Sequence, residues 1–89
     1  MARVEFASSI ARQITIQPVD VMGRTVGEVF EQAFLQQPAL RGYVLDDQGA
    51  VRKHVAVFIN NEAISHRTTL TDAVKEDDCV YVIQALSGG

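Results

Sequence analysis

The chain has 89 residues, which is enough for one modest hydrophobic core and too few for a second domain. Hydrophobic residues make up 47% of the chain and charged residues 21%, and these proportions are typical of a globular domain rather than a disordered one. The net charge of −3 and the lack of any apolar run near the roughly 20 residues that span a bilayer argue against nucleic acid and membranes as partners.

The residues that usually carry chemistry are few and scattered. Cys79 is the single cysteine, so an internal disulfide or a four-cysteine metal site is excluded, and we expect a packing role for its thiol. His54 and His66 have no companion ligand at a metal spacing. No nucleophile elbow or phosphate loop is present, and we predict neither a catalytic residue nor a metal. With no targeting segment at the start, these features predict a cytoplasmic location.

Two strands are predicted at the start of the chain. Val4 and Phe6 lie on one face of "RVEF", in the period-two alternation of a half-buried strand. A second strand over 12–19 alternates at Ile14 and Ile16 until Pro18, which lacks a donor and therefore belongs at a strand end or an edge. We expect a hairpin with its loop at 8–12 to join them.

One amphipathic helix is predicted from Thr25 to Gln37. Thr25 and Glu28 have the spacing of a capping box, and Pro38 disfavours helical backbone in the residue before it. Apolar residues at helical spacing predict one buried stripe: Val26, Val29, Phe30, Ala33 and Phe34.

The second half of the chain is predicted to contain two long strands. A turn closed at Gly42, a brief extended piece at 43–45 and a turn at 46–49 precede "KHVAVFINNE", a strand ended by an Asn60-Asn61 turn. A short helical turn is expected at 70–74. The final strand is "CVYVIQA".

This order of elements predicts an α+β protein with the β-grasp arrangement, as in ubiquitin. A mixed sheet of four to five strands would cover one principal helix, and the first and last strands would pair in parallel at its centre. We expect a domain over 1–85 and a flexible Gly-Gly tail over 86–89, because two glycines at a terminus give a mobile segment without side chains.

Both faces of the last two long strands carry apolar side chains, although one helix can cover only one face. If Val57, Val80 and Val82 face the helix, then Phe58, Tyr81 and Ile83 form an outward patch, and such patches tend to mark binding surfaces. The alternatives are that segment 41–50 folds over the patch or that a homodimer buries it.

Several stretches resemble the ubiquitin-like sulfur carriers of the ThiS and MoaD family. They are "TVGEVF" at the helix start, "RKHVAVFINNEAI" in the middle and "TDAVKEDDCVYVIQALSGG" at the end, so the resemblance covers nearly the whole chain. The last stretch is the most specific because it joins an acidic turn, an alternating strand and the terminal Gly-Gly. The family's acidic turn usually contains a glycine, whereas here it reads Glu76-Asp77-Asp78.

The resemblance implies a carrier rather than an enzyme, with no bound cofactor. In the family, an E1-like ATP-dependent activating enzyme binds the exposed sheet face and joins the terminal carboxylate to AMP; a sulfur donor enzyme then forms a thiocarboxylate that serves a sulfur-accepting synthase. By this resemblance Gly89 carries the sulfur, Gly88 allows close approach in a narrow channel, and Leu86 helps to seat the tail. Phe58, Tyr81 and Ile83 would dock the partners.

Three other functions stay open from the sequence. The chain could be the small subunit of molybdopterin synthase, with its tail held in a larger subunit. It could be a protein modifier, joined to lysines through Gly89. It could also be a purely structural β-grasp module, in which case the two glycines would have no role.

Overall fold

The structure is a computed structural model that describes residues 1–6 and 18–84. Within these ranges the chain forms five strands, two α-helices and one 3₁₀ turn: β1 Ala2–Phe6, β2 Val19–Val21, α1 Val26–Gln36, the 3₁₀ turn Pro38–Leu40, α2 Arg41–Val44, β3 Val55–Ile59, β4 Glu62–Ala63 and β5 Cys79–Gln84. The predicted loop at 8–12, the positions of Ile14 and Ile16, and the tail at 86–89 lie outside the described residues. In the described part, no helix is long and apolar enough to cross a membrane.

The five strands form one mixed sheet in the order β2-β1-β5-β3-β4. Strands β1 and β5 pair in parallel at its centre, with Val4 beside Val80, while β1 with β2, β5 with β3 and β3 with β4 pair antiparallel. The predicted β-grasp fold and its central parallel pair are therefore confirmed. Strand β2 follows Pro18 and pairs with β1 at the sheet edge, with Val19 beside Val4 and Val21 beside Ala2.

Helix α1 begins where the sequence predicts. The Thr25 hydroxyl accepts a hydrogen bond from the Glu28 backbone N–H at 3.2 Å. The Glu28 carboxylate reaches back to the backbone N–H of Arg24 at 3.1 Å, one residue earlier than in a standard capping box. Helix α1 ends at Gln36, before Pro38. All five residues of its predicted apolar stripe are buried.

The core lies between α1 and one face of the sheet. Helix α1 supplies Phe30 and Phe34, whose ring centroids lie 5.4 Å apart. The sheet contributes valines from its central strands, and each is almost completely inaccessible to solvent: Val4, Val57, Val80 and Val82. The sheet thus has one dry face, and the alternation along each strand leaves its other face to solvent.

Segment 38–45 differs from its predicted turn and extended piece. Residues 41–44 form helix α2 instead, directly after the 3₁₀ turn that Pro38 begins. Leu40 and Val44 lie four residues apart, and both are fully buried. Their burial favours helical backbone here, and only Leu45 makes an isolated bridge, to Val51. The fifth strand of the sheet is β4, after the Asn60-Asn61 turn.

The helical turn predicted at 70–74 is wrong. Leu70 has a φ of +55°, which a right-handed helix does not allow. The carbonyl groups of Leu70 and Asp72 instead accept hydrogen bonds from Gly27 and Val26 at 2.9 and 3.1 Å. The first N–H groups of an α-helix have no partner within the helix. Segment 70–74 stays non-helical because its carbonyl groups supply those partners.

Candidate functional site

The solvent-facing side of the sheet carries the predicted apolar patch. Phe58 and Tyr81 are directly opposed across the β3–β5 ladder, and Ile83 lies opposite Ala56. Phe58, Tyr81 and Ile83 line one open surface depression together with Asn60 and Asn61. The structure therefore brings the three residues into one contiguous patch, which we call the outer patch.

The outer patch is accessible from solvent. Tyr81 is 37% exposed, and Phe58 and Ile83 are half-buried. Segment 41–50 lies on the other side of the sheet, where Leu45 and Gly49 line a groove with residues of α1. This segment therefore leaves the outer patch open, contrary to the first alternative that the sequence allowed.

Charged and polar groups border the outer patch on the β1 side. Glu5 lies beside Tyr81 in the parallel ladder. Its carboxylate accepts a hydrogen bond from the Cys79 thiol at 3.3 Å and lies 3.6 Å from Nε of Arg3. Neither the thiol–carboxylate hydrogen bond nor the ion pair was predicted from the sequence. The alternation of apolar residues in a strand shows which side chains share a face, but it does not show which residues of the next strand they contact.

The Cys79 thiol is a poor nucleophile in this setting. Partial burial raises its pKa to about 11, and the hydrogen bond and negative charge of Glu5 add to the increase. The thiol is consequently protonated at neutral pH, whereas sulfur chemistry at cysteine proceeds through the thiolate. The geometry agrees with the packing role expected for Cys79.

The acidic turn fixes the start of β5. Asp77 adopts a φ of +74°, the left-handed conformation that a glycine would adopt without strain. The Asp78 carboxylate accepts hydrogen bonds from the Lys75 backbone N–H at 2.8 Å and from the Asn60 amide at 3.1 Å, and these bonds lower the pKa of Asp78. Asn60 also accepts from the Cys79 backbone N–H at 3.0 Å. Asn60 thus joins the turn to the β3–β4 hairpin, a role that sequence analysis missed.

No metal centre is apparent in the described part of the chain, where no group of three or more histidine, cysteine or acidic residues is suitably arranged. His54 and His66 are both exposed. The backbone N–H of His66 donates to Asp72 at 2.7 Å.

The tail residues predicted to carry the chemistry are Leu86, Gly88 and Gly89, and they lie outside the described residues. Their roles stay predictions. Residues 85–89 directly follow β5 in the sequence, and β5 carries two residues of the outer patch, Tyr81 and Ile83.

The sheet order and the single long helix of the described residues define a ubiquitin-like β-grasp protein. The sequence model of the ThiS family matches residues 9–89, and the chain belongs to this family. No curated protein sequence matches the chain.

Several solved structures are similar to this chain over nearly its whole length. SAMP1 from Haloferax volcanii is 27% identical, with 99% of this chain and 98% of that chain covered and a TM-score of 0.76. CysO in the Amycolatopsis orientalis BexX/CysO complex is 18% identical, with both chains covered completely and a TM-score of 0.84. CysO from Mycobacterium tuberculosis is also 18% identical, with 97% and 100% coverage and a TM-score of 0.81. At 18% identity the two CysO structures support the fold alone.

Proposed function

We propose that this protein is a sulfur carrier whose terminal glycine, Gly89, is adenylated by an E1-like ATP-dependent enzyme and then converted to a thiocarboxylate. The observation that carries the proposal is the position of the outer patch. Tyr81 and Ile83 lie on β5, the strand that continues into the Gly-Gly end. An enzyme that binds the patch therefore holds the root of the tail at a fixed position.

The terminal carboxylate needs activation before sulfur can attack it. A carboxylate is a weak electrophile because its leaving group would be oxide. In the first step a carboxylate oxygen of Gly89 attacks the α-phosphorus of ATP, and pyrophosphate leaves. In the second step hydrosulfide, delivered by a sulfur donor enzyme, attacks the acyl carbon. AMP then leaves, one proton is released, and the thiocarboxylate remains on the protein for a sulfur-accepting synthase.

The chain itself contributes binding and presentation in this scheme, and the catalytic groups belong to its partners. Phe58, Tyr81 and Ile83 dock the activating enzyme through apolar contact, since their exposed surface is the part of the sheet that the core does not use. Leu86 helps to seat the tail. Gly88 has no side chain, which allows the backbone to enter a channel too narrow for larger residues. No cofactor is bound by the carrier in this proposal.

A second candidate function is protein modification, in which activated Gly89 forms an isopeptide bond with a lysine. The observation that favours it is the 27% identity to a Haloferax volcanii protein over 99% of this chain. That protein is described as small archaeal modifier protein 1. Both functions share the adenylation step and differ in the nucleophile that attacks the acyl-adenylate.

Intact-mass spectrometry tests the proposal. The protein is incubated with its purified activating enzyme, ATP and sulfide, and we expect a mass gain equal to the replacement of one oxygen by sulfur. Lysine-linked conjugates in cells without a thiocarboxylate would support the modifier. A mass that never changes would support a purely structural module.

The variant Gly88→Val refines the test. We expect it to fold normally and to block adenylation, because a branched side chain would clash in a channel shaped for glycine. Gly42→Val is the matched control, since a Cβ atom at Gly42 would meet no atom within 4 Å. Normal adenylation of Gly88→Val would show that the channel argument is wrong.

A further inference from the structure

Basic residues lie on the β3 side of the end of β5 that leads into the tail. Gln84 pairs with Val55, the first residue of β3, and the three residues before Val55 are Arg52, Lys53 and His54. Arg67 joins them from a distant part of the chain. Its Nη2 donates to the backbone carbonyl groups of Arg52 and Val55 at 2.7 and 2.6 Å. We call these four basic residues, 52–54 and Arg67, the basic end.

The opposite end of β5 follows an acidic turn, in which Glu76 lies 3.7 Å from the N-terminal amine. Cys79, its first residue, directly follows Glu76, Asp77 and Asp78. Six residues of strand separate the two ends by about 17 Å. This distance exceeds the Debye length of about 8 Å at physiological ionic strength, so the two ends act as separate charges toward a partner. The small net charge of the chain conceals this asymmetry.

The charge of Lys53 is free for an intermolecular contact, whereas the half-buried Arg52 and Arg67 donate hydrogen bonds to backbone carbonyl groups. Lys53 and His54 are exposed, and neither joins an ion pair with any residue of 1–6 or 18–84. The acidic residues nearest to Lys53 in the sequence are Asp46 and Asp47, and those nearest to Arg67 are Glu62 and Asp72. The Asp46 carboxylate accepts hydrogen bonds from the backbone of its own turn, at Gln48 and Ala50.

The length of the tail limits the distance between the basic end and the site where Gly89 is adenylated. Five residues follow Gln84, and a fully extended chain spans at most about 3.6 Å per residue, so the Gly89 carboxylate lies within about 18 Å of Gln84. An enzyme that adenylates Gly89 must therefore bring its surface close to the basic end. When the tail is fully extended, about 18 Å separates Gln84 from the Gly89 carboxylate, which would leave the basic end at the channel entrance.

We propose that the basic end pairs with an acidic surface around the channel entrance of the activating enzyme. The inference rests on the proposed function and adds the charge of the partner surface and the orientation of docking. An acidic surface attracts the basic end and repels the acidic end, so the carrier approaches with its tail foremost. The outer patch then supplies the apolar contact.

The two lysines of the chain provide a matched test. Lys53 lies at the basic end and Lys75 lies beside the acidic turn, and both are exposed. Lys53→Glu and Lys75→Glu change the net charge equally, so they separate the position of the charge from its amount. The assay is pyrophosphate release by the purified activating enzyme as a function of carrier concentration, with thermal unfolding as the check on folding.

We expect Lys53→Glu to lower kcat/KM for the carrier about tenfold at low ionic strength, with a smaller loss at high salt. Lys75→Glu is expected to change it less than twofold, and the KM for ATP is expected to stay unchanged in both variants. Equal losses in the two variants, no loss in Lys53→Glu, or a raised KM for ATP would overturn the inference. Wild-type protein that is never adenylated would overturn the proposed function and, with it, this inference.

Discussion

Replacing Tyr81 with alanine removes the most exposed aromatic side chain of the outer patch. Tyr81 is 37% exposed, and an aromatic residue has roughly 200 Å² of surface to bury, so about 75 Å² remains for a partner to cover. At about 25 cal/mol per Å², that area is worth about 2 kcal/mol. The expected result is a loss of about 30-fold in kcat/KM for adenylation.

The substitution is expected to leave the fold intact. Tyr81 lies opposite Phe58 in the ladder, and such a cross-strand pair contributes about 0.2–1 kcal/mol relative to alanine. The dry face of the sheet is untouched. Urea unfolding checks that the folded population is unchanged under the conditions of the activity assay.

The assay is the initial rate of pyrophosphate release at increasing carrier concentration. Leu35→Ala is the control, because Leu35 is 75% exposed on α1, on the opposite side of the sheet from the outer patch. If apolar exposure alone drove binding, the control would lose more activity than Tyr81→Ala. An unchanged rate for Tyr81→Ala, or a larger loss for Leu35→Ala, would refute docking through the outer patch.

Two further predictions concern stability and thiol reactivity. Gly23→Ala places a Cβ atom 2.9 Å from the backbone nitrogen of Val29 and is expected to lower the free energy of unfolding by about 1–3 kcal/mol. Gly42→Ala meets no atom within 4 Å and, inside α2, is expected to raise it by about 0.5–1 kcal/mol; urea unfolding that gave the reverse order would contradict the packing at Gly23. Because the pKa of Cys79 is raised to about 11, we expect alkylation by iodoacetamide to be slow near neutral pH and to accelerate until about that pH. Glu5→Gln removes one cause of the increase and is expected to move this rate profile to lower pH, and an identical profile would count against the thiol–carboxylate bond.

Local patterns predicted the main elements of the fold. Thr25 and Glu28 mark the start of α1, and the apolar stripe of that helix is buried as its spacing requires. The alternation around Val57 and Val82 indicated which side chains face the core. These features are predictable because side-chain direction repeats every few residues in a helix or strand. The spacing of apolar residues along the sequence therefore shows which face is buried.

Segments without a strong repeat were harder to predict. The four-residue helix α2 is too short to show an apolar stripe, and it follows from the burial of Leu40 and Val44 against the rest of the core. Segment 70–74 contains apolar residues, but its conformation depends on α1, whose first N–H groups bond to Leu70 and Asp72. In both segments tertiary contacts outweigh local preference.

The sequence by itself determined the family resemblance, the Gly-Gly end and the composition of the outer patch. Only the tertiary structure placed Glu5 against Cys79, 74 residues away, and Arg67 against the backbone at Arg52, 15 residues away. It also located the basic end at the root of the tail, through the pairing of Val55 with Gln84. The physical reason is that contacts between distant segments depend on strand order and register, which are set by burial of the whole core rather than by neighbouring residues.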